Sequence, residues 1–189
     1  MHDYYLVDDA TSNKINNHFS SAITLRSNGN ASMSYDSTNN LYKITQTGTW
    51  DCFIPLPSLT GLNNFVMEYD AQINYPHSYG VGFCVYPSSS NWGAIAKDSE
   101  LWTIGKTVNG TYSYTTPTAS LSQNTWYHFK ITVTNDSVTV EIYQGDTLET
   151  SQTQSYDSSW FTNSTKYGIN HMWNSDRVTP LKNITVKPL

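Results

Sequence analysis

The chain has 189 residues and a formal net charge of -5, and its aromatic residues (14%) slightly outnumber its charged ones (13%). A chain of this length can form one β-sandwich domain, and its aromatic content excludes an intrinsically disordered protein. The ten Lys and Arg residues are scattered through an acidic sequence, so we expect no nucleic-acid partner.

The hydropathy pattern also excludes a membrane helix, because no stretch approaches the roughly 20 apolar residues that such a helix needs. We therefore expect no membrane insertion. The first residues carry no basic region followed by an apolar run, so no signal peptide is visible in this chain.

Alternation with a period of two recurs along the chain, whereas no window has the spacing of a helix of normal length. Residues 1–30 have the weakest pattern and are predicted as an N-terminal extension or an edge strand. Residues 31–189 are predicted as one all-β sandwich domain, since no helices intervene between strands. Its strands are expected at residues 31–35, 41–46, 50–54, 65–73, 79–86, 101–106, 112–115, 126–133, 138–143, 167–173 and 181–186.

Three segments carry a resemblance to a known superfamily. The first is NNFVMEYDAQI at residues 63–73, followed by the Gly-rich YGVGF at 79–83. The second is QNTWYHFKITV at 123–133 with its hairpin partner, and the third is the ending, YGI and then LKNITV, within 167–186. In this order they resemble the concanavalin A-like, or laminin G-like, jelly-roll superfamily of lectins, glucanases and adhesive modules. The resemblance implies a two-sheet antiparallel jelly-roll β-sandwich with one curved sheet.

Three polar residues, Glu68, Asp70 and Gln72, share one face of a predicted strand and are similar to the acidic strand of this superfamily's glycosidases. Gln72 stands where the second acid would be needed, and an amide cannot exchange the required proton. We therefore expect polar residues on a solvated sheet face and no enzyme activity. The alternative is a glycoside hydrolase or polysaccharide lyase that uses the atypical acids Glu68, Asp70 or Glu100.

Metal and thiol chemistry have weak signals. The five His residues are dispersed without the spacing of metal ligands, so no cofactor is expected. The resemblance allows a structural calcium ion, for which the sequence offers only loose ligands: Asp8, Asp9, Asp51 and Asp176. Cys52 and Cys84 can form one disulfide or remain two buried free thiols, and both alternatives stay open.

Aromatic and polar residues that fall together in loops or on one strand face are the candidates for ligand binding. Gly80 and Gly82 are expected to leave room beside them for a ligand. Trp92 is the aromatic most expected to be exposed, because it follows the polar residues 88–91, and Tyr112 and Tyr114 are expected to line the same sheet surface as Trp102. The full candidate set is Tyr75, His77, Tyr79, Trp92, Trp102, Tyr112, Tyr114, Asn174 and Arg177, whereas Trp50, Trp126 and Trp160 are expected to be structural.

These observations favour a non-catalytic carbohydrate-binding or cell-surface recognition module: lectin-like, an adhesin, or a phage or virus receptor-binding domain. Its expected partner is a glycan or cell-surface polysaccharide, and its expected location is extracellular, on a cell surface or on a virion surface. A structural module of a virion or surface fibre is a further alternative. Both a homo-oligomer and a place in a larger assembly stay open.

Overall fold

The computed structural model describes residues 6–75, 80–172 and 177–189. The described part of the chain is almost entirely β-structure, with one short helix, α1 (Ile15–His18), and 3₁₀ turns at Pro57–Leu59 and Ser158–Trp160. No helix in these residues has the length and apolar character needed to cross a membrane. The strands are β1 (Leu6–Asp8), β2 (Ile23–Thr24), β3 (Ala31–Asp36), β4 (Leu41–Gln46), β5 (Cys52–Pro55), β6 (Phe65–Ile73), β7 (Gly80–Ser88), β8 (Asn91–Lys97), β9 (Trp102–Val108), β10 (Thr111–Thr115), β11 (Thr125–Val133), β12 (Ser137–Gln144), β13 (Thr147–Ser155), β14 (Lys166–Met172) and β15 (Val178–Pro188).

The strands form two antiparallel sheets, as the all-β sandwich prediction requires. The eight-stranded sheet has the order β13-β12-β11-β6-β15-β4-β3, with β1 also paired to β15. The seven-stranded sheet has the order β10-β9-β8-β7-β14-β5-β2. Hairpins of consecutive strands form most of the outer parts of each sheet, whereas central pairs such as β11-β6, β6-β15, β7-β14 and β14-β5 join strands that are distant in sequence.

The core lies between the two sheets and follows the alternation of the sequence. In β6 the residues Phe65, Met67 and Tyr69 are fully buried, whereas Glu68 and Asp70, on either side of Tyr69, are half-buried on the outer face. Tyr69 donates its hydroxyl hydrogen to the backbone oxygen of Gly82 in the opposite sheet, at 3.1 Å. The alternation that predicts these strands therefore also sets which side chains join the sheets.

The first described residues belong to the sandwich. Leu6 of β1 is opposite Val186 of β15, and β2 extends the seven-stranded sheet beside β5. The buried Asp8 accepts a hydrogen bond from the Tyr42 hydroxyl at 2.6 Å. Phe19 packs edge-on against the Tyr42 ring, with centroids 5.5 Å apart. The N-terminal segment therefore contributes to both sheets and to the core.

Cys52 and Cys84 are both buried free thiols. Cys52 belongs to the main core, whereas Cys84 belongs to a second apolar cluster on the outer face of the seven-stranded sheet. Burial raises the pKa of Cys52 to about 12 and that of Cys84 well above its ordinary value. The sequence left open a disulfide or two free thiols, and in the structure Cys52 and Cys84 are free thiols.

Candidate functional site

Residues at the two edges of the seven-stranded sheet meet over its outer face, which we call the concave face. Arg26 follows β2 at one edge of this sheet, and Tyr112 lies in β10 at the other edge. In a flat sheet six strand spacings would separate these edges by roughly 29 Å. The Arg26 Cζ nevertheless lies 4.0 Å from the centroid of the Tyr112 ring. The edges therefore approach one another across the outer face.

A stack of flat groups lies along this concave face, and we call it the aromatic row: Tyr114, Tyr112, Arg26 and Trp50. Tyr114 and Tyr112 stack with centroids 5.9 Å apart and an interplanar angle of 24°. Arg26 lies between two rings, because its Cζ is 4.0 Å from the Tyr112 centroid and 4.6 Å from the Trp50 centroid. Tyr114 is 58% exposed, so this end of the row presents a ring to solvent.

A buried carboxylate lies against the row. Asp51 is only 1% exposed, and its Oδ2 is 3.6 Å from Nη1 of Arg26. Neither carboxylate oxygen accepts a hydrogen bond from the described part of the chain. Burial raises the pKa of Asp51 to about 6, although the Arg26 guanidinium acts in the opposite direction. The site therefore holds two unsatisfied acceptor oxygens next to a planar cation.

A hydrogen-bond network holds the Trp50 end of the row. Gln46 Nε2 donates to the Trp50 carbonyl at 2.7 Å, and Gln46 Oε1 accepts from His171 Nδ1 at 2.6 Å. The Thr179 hydroxyl lies 2.8 Å from His171 Nε2. Since Oε1 can only accept, the Nδ1 atom carries the proton and Nε2 accepts from Thr179. Burial lowers the pKa of His171 to about 4, so this ring is neutral.

Trp92 is buried, and the prediction that it is exposed is wrong. Strand β8 begins at Asn91, so Trp92 stands within the sheet, directly opposite Thr107, with only 2% of its surface exposed. Together with Phe53 and Cys84 it forms the apolar floor of the concave face. Its ring lies 5.5 Å from that of Tyr112, so Trp92 supports the aromatic row from beneath.

Trp102 does not share a surface with Tyr112 and Tyr114, and that prediction is also wrong. Tyr114 is opposite Gly105 on β9, and Trp102 is three residues away, which places its side chain on the inner face. Trp102 is 1% exposed and donates from Nε1 to the Thr150 hydroxyl at 3.2 Å. It belongs to the core.

Gly80 and Gly82 do not leave room for a ligand. A Cβ atom on Gly82 would meet the backbone oxygen of Ile95 at 1.9 Å, and one on Gly80 would meet the Ala96 side chain at 2.8 Å. Neighbouring strand β8 therefore fills the space that the two glycines free. Their role is close strand packing, and the expected opening beside them is absent.

Tyr75 and Arg177, predicted from two separate loops, are brought together at one end of the sandwich. The Arg177 Cζ lies 4.8 Å from the Tyr75 ring centroid, and the Tyr75 hydroxyl accepts from the backbone N–H of Val178 at 3.3 Å. The other candidates predicted for these loops lie outside the described residues: His77, Tyr79 and Asn174.

The acidic strand on the opposite sheet has its carboxylates paired. Asp70 Oδ1 lies 2.9 Å from His128 Nδ1, and Asp70 Oδ2 accepts from Asn183 at 2.6 Å. Burial raises the pKa of Asp70, but these hydrogen bonds outweigh it and leave the pKa below its ordinary value. Glu68 lies 3.5 Å from Lys187. These acids form part of a polar, partly solvated sheet face.

The structural calcium ion stays a prediction. No group of three or more His, Cys, Asp or Glu residues suited to a metal occurs among residues 6–75, 80–172 and 177–189. Asp8 accepts protein hydrogen bonds, Asp9 accepts from Thr11, and Asp51 faces Arg26. Asp176 lies outside the described residues.

Sequence reasoning did not include the central members of the site among the ligand-binding candidates: Arg26, Trp50 and Asp51. Asp51 was named only as a loose calcium ligand. Arg26 lies in the segment with the weakest pattern, and Trp50 was expected to be structural. The rarity of arginine was an available signal for these site residues, because the chain contains only two, Arg26 and Arg177. Both lie over aromatic rings in the structure.

Comparisons with known proteins agree with this architecture. No protein-family profile and no curated protein sequence matches the chain. Among solved structures, carbohydrate-binding module CBM66 from Bacillus subtilis is similar with a TM-score of 0.54 and 20% identity, covering 89% of this chain and 96% of that one. This chain has a jelly-roll β-sandwich fold.

Two further structures are similar across most of this chain. The CBM2 module of the evolved Dit of Lactobacillus casei BL23 phage J-1 has a TM-score of 0.52 and 13% identity, covering 82% of this chain and 78% of that one. The GH43 protein BlXynB from Bacillus licheniformis has a TM-score of 0.67 and 11% identity. The match covers 97% of this chain but only 39% of BlXynB. Identities this low establish the fold alone.

Proposed function

We propose that this chain is a non-catalytic carbohydrate-binding module that binds a glycan on the concave face. The aromatic row carries this proposal, because the Tyr114 ring is 58% exposed next to a stacked tyrosine and a guanidinium. Aromatic faces stack on the apolar faces of sugars, and guanidinium N–H groups donate to hydroxyls. Two solved structures of this fold that are named as carbohydrate-binding modules support a glycan as the ligand class.

The non-catalytic part of the proposal rests on the paired acids of the eight-stranded sheet. Retaining glycosidases need two carboxyl groups about 5 Å apart, one of them free to act as nucleophile. Asp70 is bound to His128 and Asn183, Glu68 is paired with Lys187, and position 72 carries an amide. Release of sugar from a polysaccharide that disappears in Glu68→Gln would contradict this part.

We propose further that the ligand is a cell-surface polysaccharide and that the module acts outside the cell, on a cell surface or on a virion. An adhesin or a phage or virus receptor-binding domain fits this role. The support is the solvent-facing ring of Tyr114 and the named phage module of the same fold.

The proposal is tested by isothermal titration of purified polysaccharides and cell-wall extracts. Tyr114→Ala removes the exposed ring and is expected to weaken binding about tenfold, the equivalent of about 1.4 kcal/mol. Arg26→Lys keeps the charge opposite Asp51 but removes the planar donor, so it is expected to weaken binding by a similar factor. Leu148→Ala is the control, because Leu148 is 48% exposed on β13 of the other sheet.

The control is expected to bind as tightly as the wild type. Wild-type affinity in Tyr114→Ala would remove the aromatic row from the proposal. An absence of binding to every polysaccharide and extract would overturn the proposed function itself.

A further inference from the structure

A second concave surface lies at one side of the sandwich, and none of its lining residues belongs to the aromatic row. It is a groove of about 820 Å³ between the segment 15–22, which contains α1, and the first residues of β3. This volume lies within the range of small-molecule sites. Because β3 is an edge strand, no further strand covers this side of the eight-stranded sheet in the described part of the chain.

The walls of the groove are fixed by packing. Phe19 is only 7% exposed and contacts the Tyr42 ring of the core, at a centroid distance of 5.5 Å. The backbone N–H of Ser20 donates to the Pro55 carbonyl at 3.0 Å. Segment 15–22 is therefore held against both sheets, and the groove is a preformed feature.

Every lining residue of the groove within 6–75, 80–172 and 177–189 is uncharged. Apolar residues form its floor, and neutral polar residues with exposed side chains line its walls: Asn16, Ser20, Ser21, Asn30 and Ser32. Asn30 Oδ1 accepts from its neighbour Ala31 at 2.9 Å, which leaves its amide N–H groups available. Amides and hydroxyls that can both donate and accept match the hydroxyl groups of a sugar.

The surroundings of the groove favour a neutral ligand. Lys14, which precedes α1, and His18, its last residue, face the buried Asp8 at 3.8 and 3.6 Å rather than the groove. A charged ligand in the groove would therefore lose water without gaining an oppositely charged side chain, and this desolvation raises its free energy. An extended peptide that added to the sheet would need the whole edge of β3, but only residues 31–33 of this strand line the groove.

We propose that this groove is a second binding site, which takes an uncharged oligosaccharide. It shares no lining residue with the aromatic row, and the proposal does not depend on a glycan binding there. Two sites on one small domain would allow two segments of a polysaccharide to be bound at once, which raises the apparent affinity without new contacts at either site.

The test is a titration of the whole protein followed by amide NMR chemical shifts, which report the groove and the concave face separately. The probes are cellotriose, xylotriose, maltotriose and N-acetylchitotriose at millimolar concentration, with trigalacturonate as the charged comparison. Ser32→Trp places a large ring in the groove, and Ser34→Trp is its matched control. Ser34 is also exposed and points to the same side of β3, but it does not line the groove.

At least one neutral probe is expected to shift groove amides in the wild type, in Ser34→Trp and in Tyr114→Ala. Ser32→Trp is expected to weaken this binding at least about tenfold. A well-dispersed amide spectrum of this variant is the control that shows it is folded. The inference is overturned if no neutral probe shifts the groove amides, if trigalacturonate shifts them equally, or if Ser32→Trp binds like Ser34→Trp. Groove shifts with an extended acetyl-(Thr-Val)₃-amide peptide, and with none of the sugars, would assign the groove to strand addition and also overturn it.

Discussion

Arg26 shows how one side chain can join distant parts of a sheet. A guanidinium is planar, so both its faces can stack on rings, and it keeps its charge when partly buried. Arg26 uses these properties together, since it lies between Tyr112 and Trp50 and faces Asp51 at 3.6 Å. Burial raises the pKa of Tyr112 to about 12, so this ring stays protonated and neutral near pH 7.

The buried His171 couples the stability of the fold to pH. Its pKa is about 4 in the folded chain, against 6.5 for an ordinary histidine, because burial disfavours the imidazolium. As the pH falls below 6.5 the unfolded chain binds this proton first. The contribution of His171 to stability is therefore complete above pH 6.5 and is lost as the pH falls towards 4, by about 3 kcal/mol in total.

The prediction is tested with His171→Gln, which keeps a donor and an acceptor but does not titrate. The free energy of unfolding is measured by urea denaturation at several pH values between neutral and about 4. The wild type is expected to lose stability relative to the variant as the pH falls. Asp51 titrates in both proteins, so its contribution cancels. A difference that is independent of pH would show that His171 does not carry the effect.

At the scale of elements, strand β9 needs a glycine beneath the aromatic row. A Cβ atom on Gly105 would lie 2.8 Å from the Tyr112 hydroxyl oxygen, the far end of a side chain that can move. Gly105→Ala is therefore expected to tilt Tyr112 and weaken glycan binding several-fold, while the melting temperature changes by only a few degrees.

Gly82→Ala is the contrasting variant, because its Cβ would meet the backbone oxygen of Ile95 at 1.9 Å. It is expected to lower the melting temperature strongly, as seen by differential scanning calorimetry. Equal loss of stability in the two variants would contradict the different roles assigned to the two glycines.

Strands with one buried and one solvated face were predicted most closely, since β6 and β11 alternate regularly and were given almost the observed bounds. Strands β5, β7 and β14 are buried on both faces and were also predicted, with less exact bounds. Strand β8 was missed because the polar residues 88–91 were interpreted as a loop that included Trp92, and because its outer face is covered by the second apolar cluster, so it lacks alternation. Strand β13 was missed for the opposite reason, since this edge strand is polar and mostly exposed on both faces.

At the scale of the whole molecule, the N-terminal segment contributes to the core and to the site. Leu6 is 5% exposed and belongs to the main core, whereas its neighbour Val7 is 57% exposed. Leu6→Ala is expected to lower the free energy of unfolding by about 2–5 kcal/mol, a large part of the stability of a domain this size. Val7→Ala is the control and is expected to change it by less than about 0.5 kcal/mol.

Both variants are measured by urea denaturation. Equal stability of the two would mean that β1 contributes nothing to the cooperative core.

The site could not be read from the sequence because sheet curvature brings its parts together. Alternation predicts which face of a strand a residue occupies, and it placed Tyr112 and Tyr114 together correctly. It carries no information on how far a sheet bends, so the meeting of Arg26 with Tyr112 had no local signal. The jelly-roll resemblance predicted one curved sheet but not the residues that close over it.

The pairing of β1 with β15 has a consequence for engineering. Leu6 and Val186 are directly opposite one another, and such residues lie about 5 Å apart. A linker of a few residues between β1 and β15 would therefore allow a circular permutant that opens at the exposed turn around Gly145, between β12 and β13. For the same reason, the segment from Leu6 to Val186 could be inserted into a surface loop of a host protein, because its two insertion points would lie side by side.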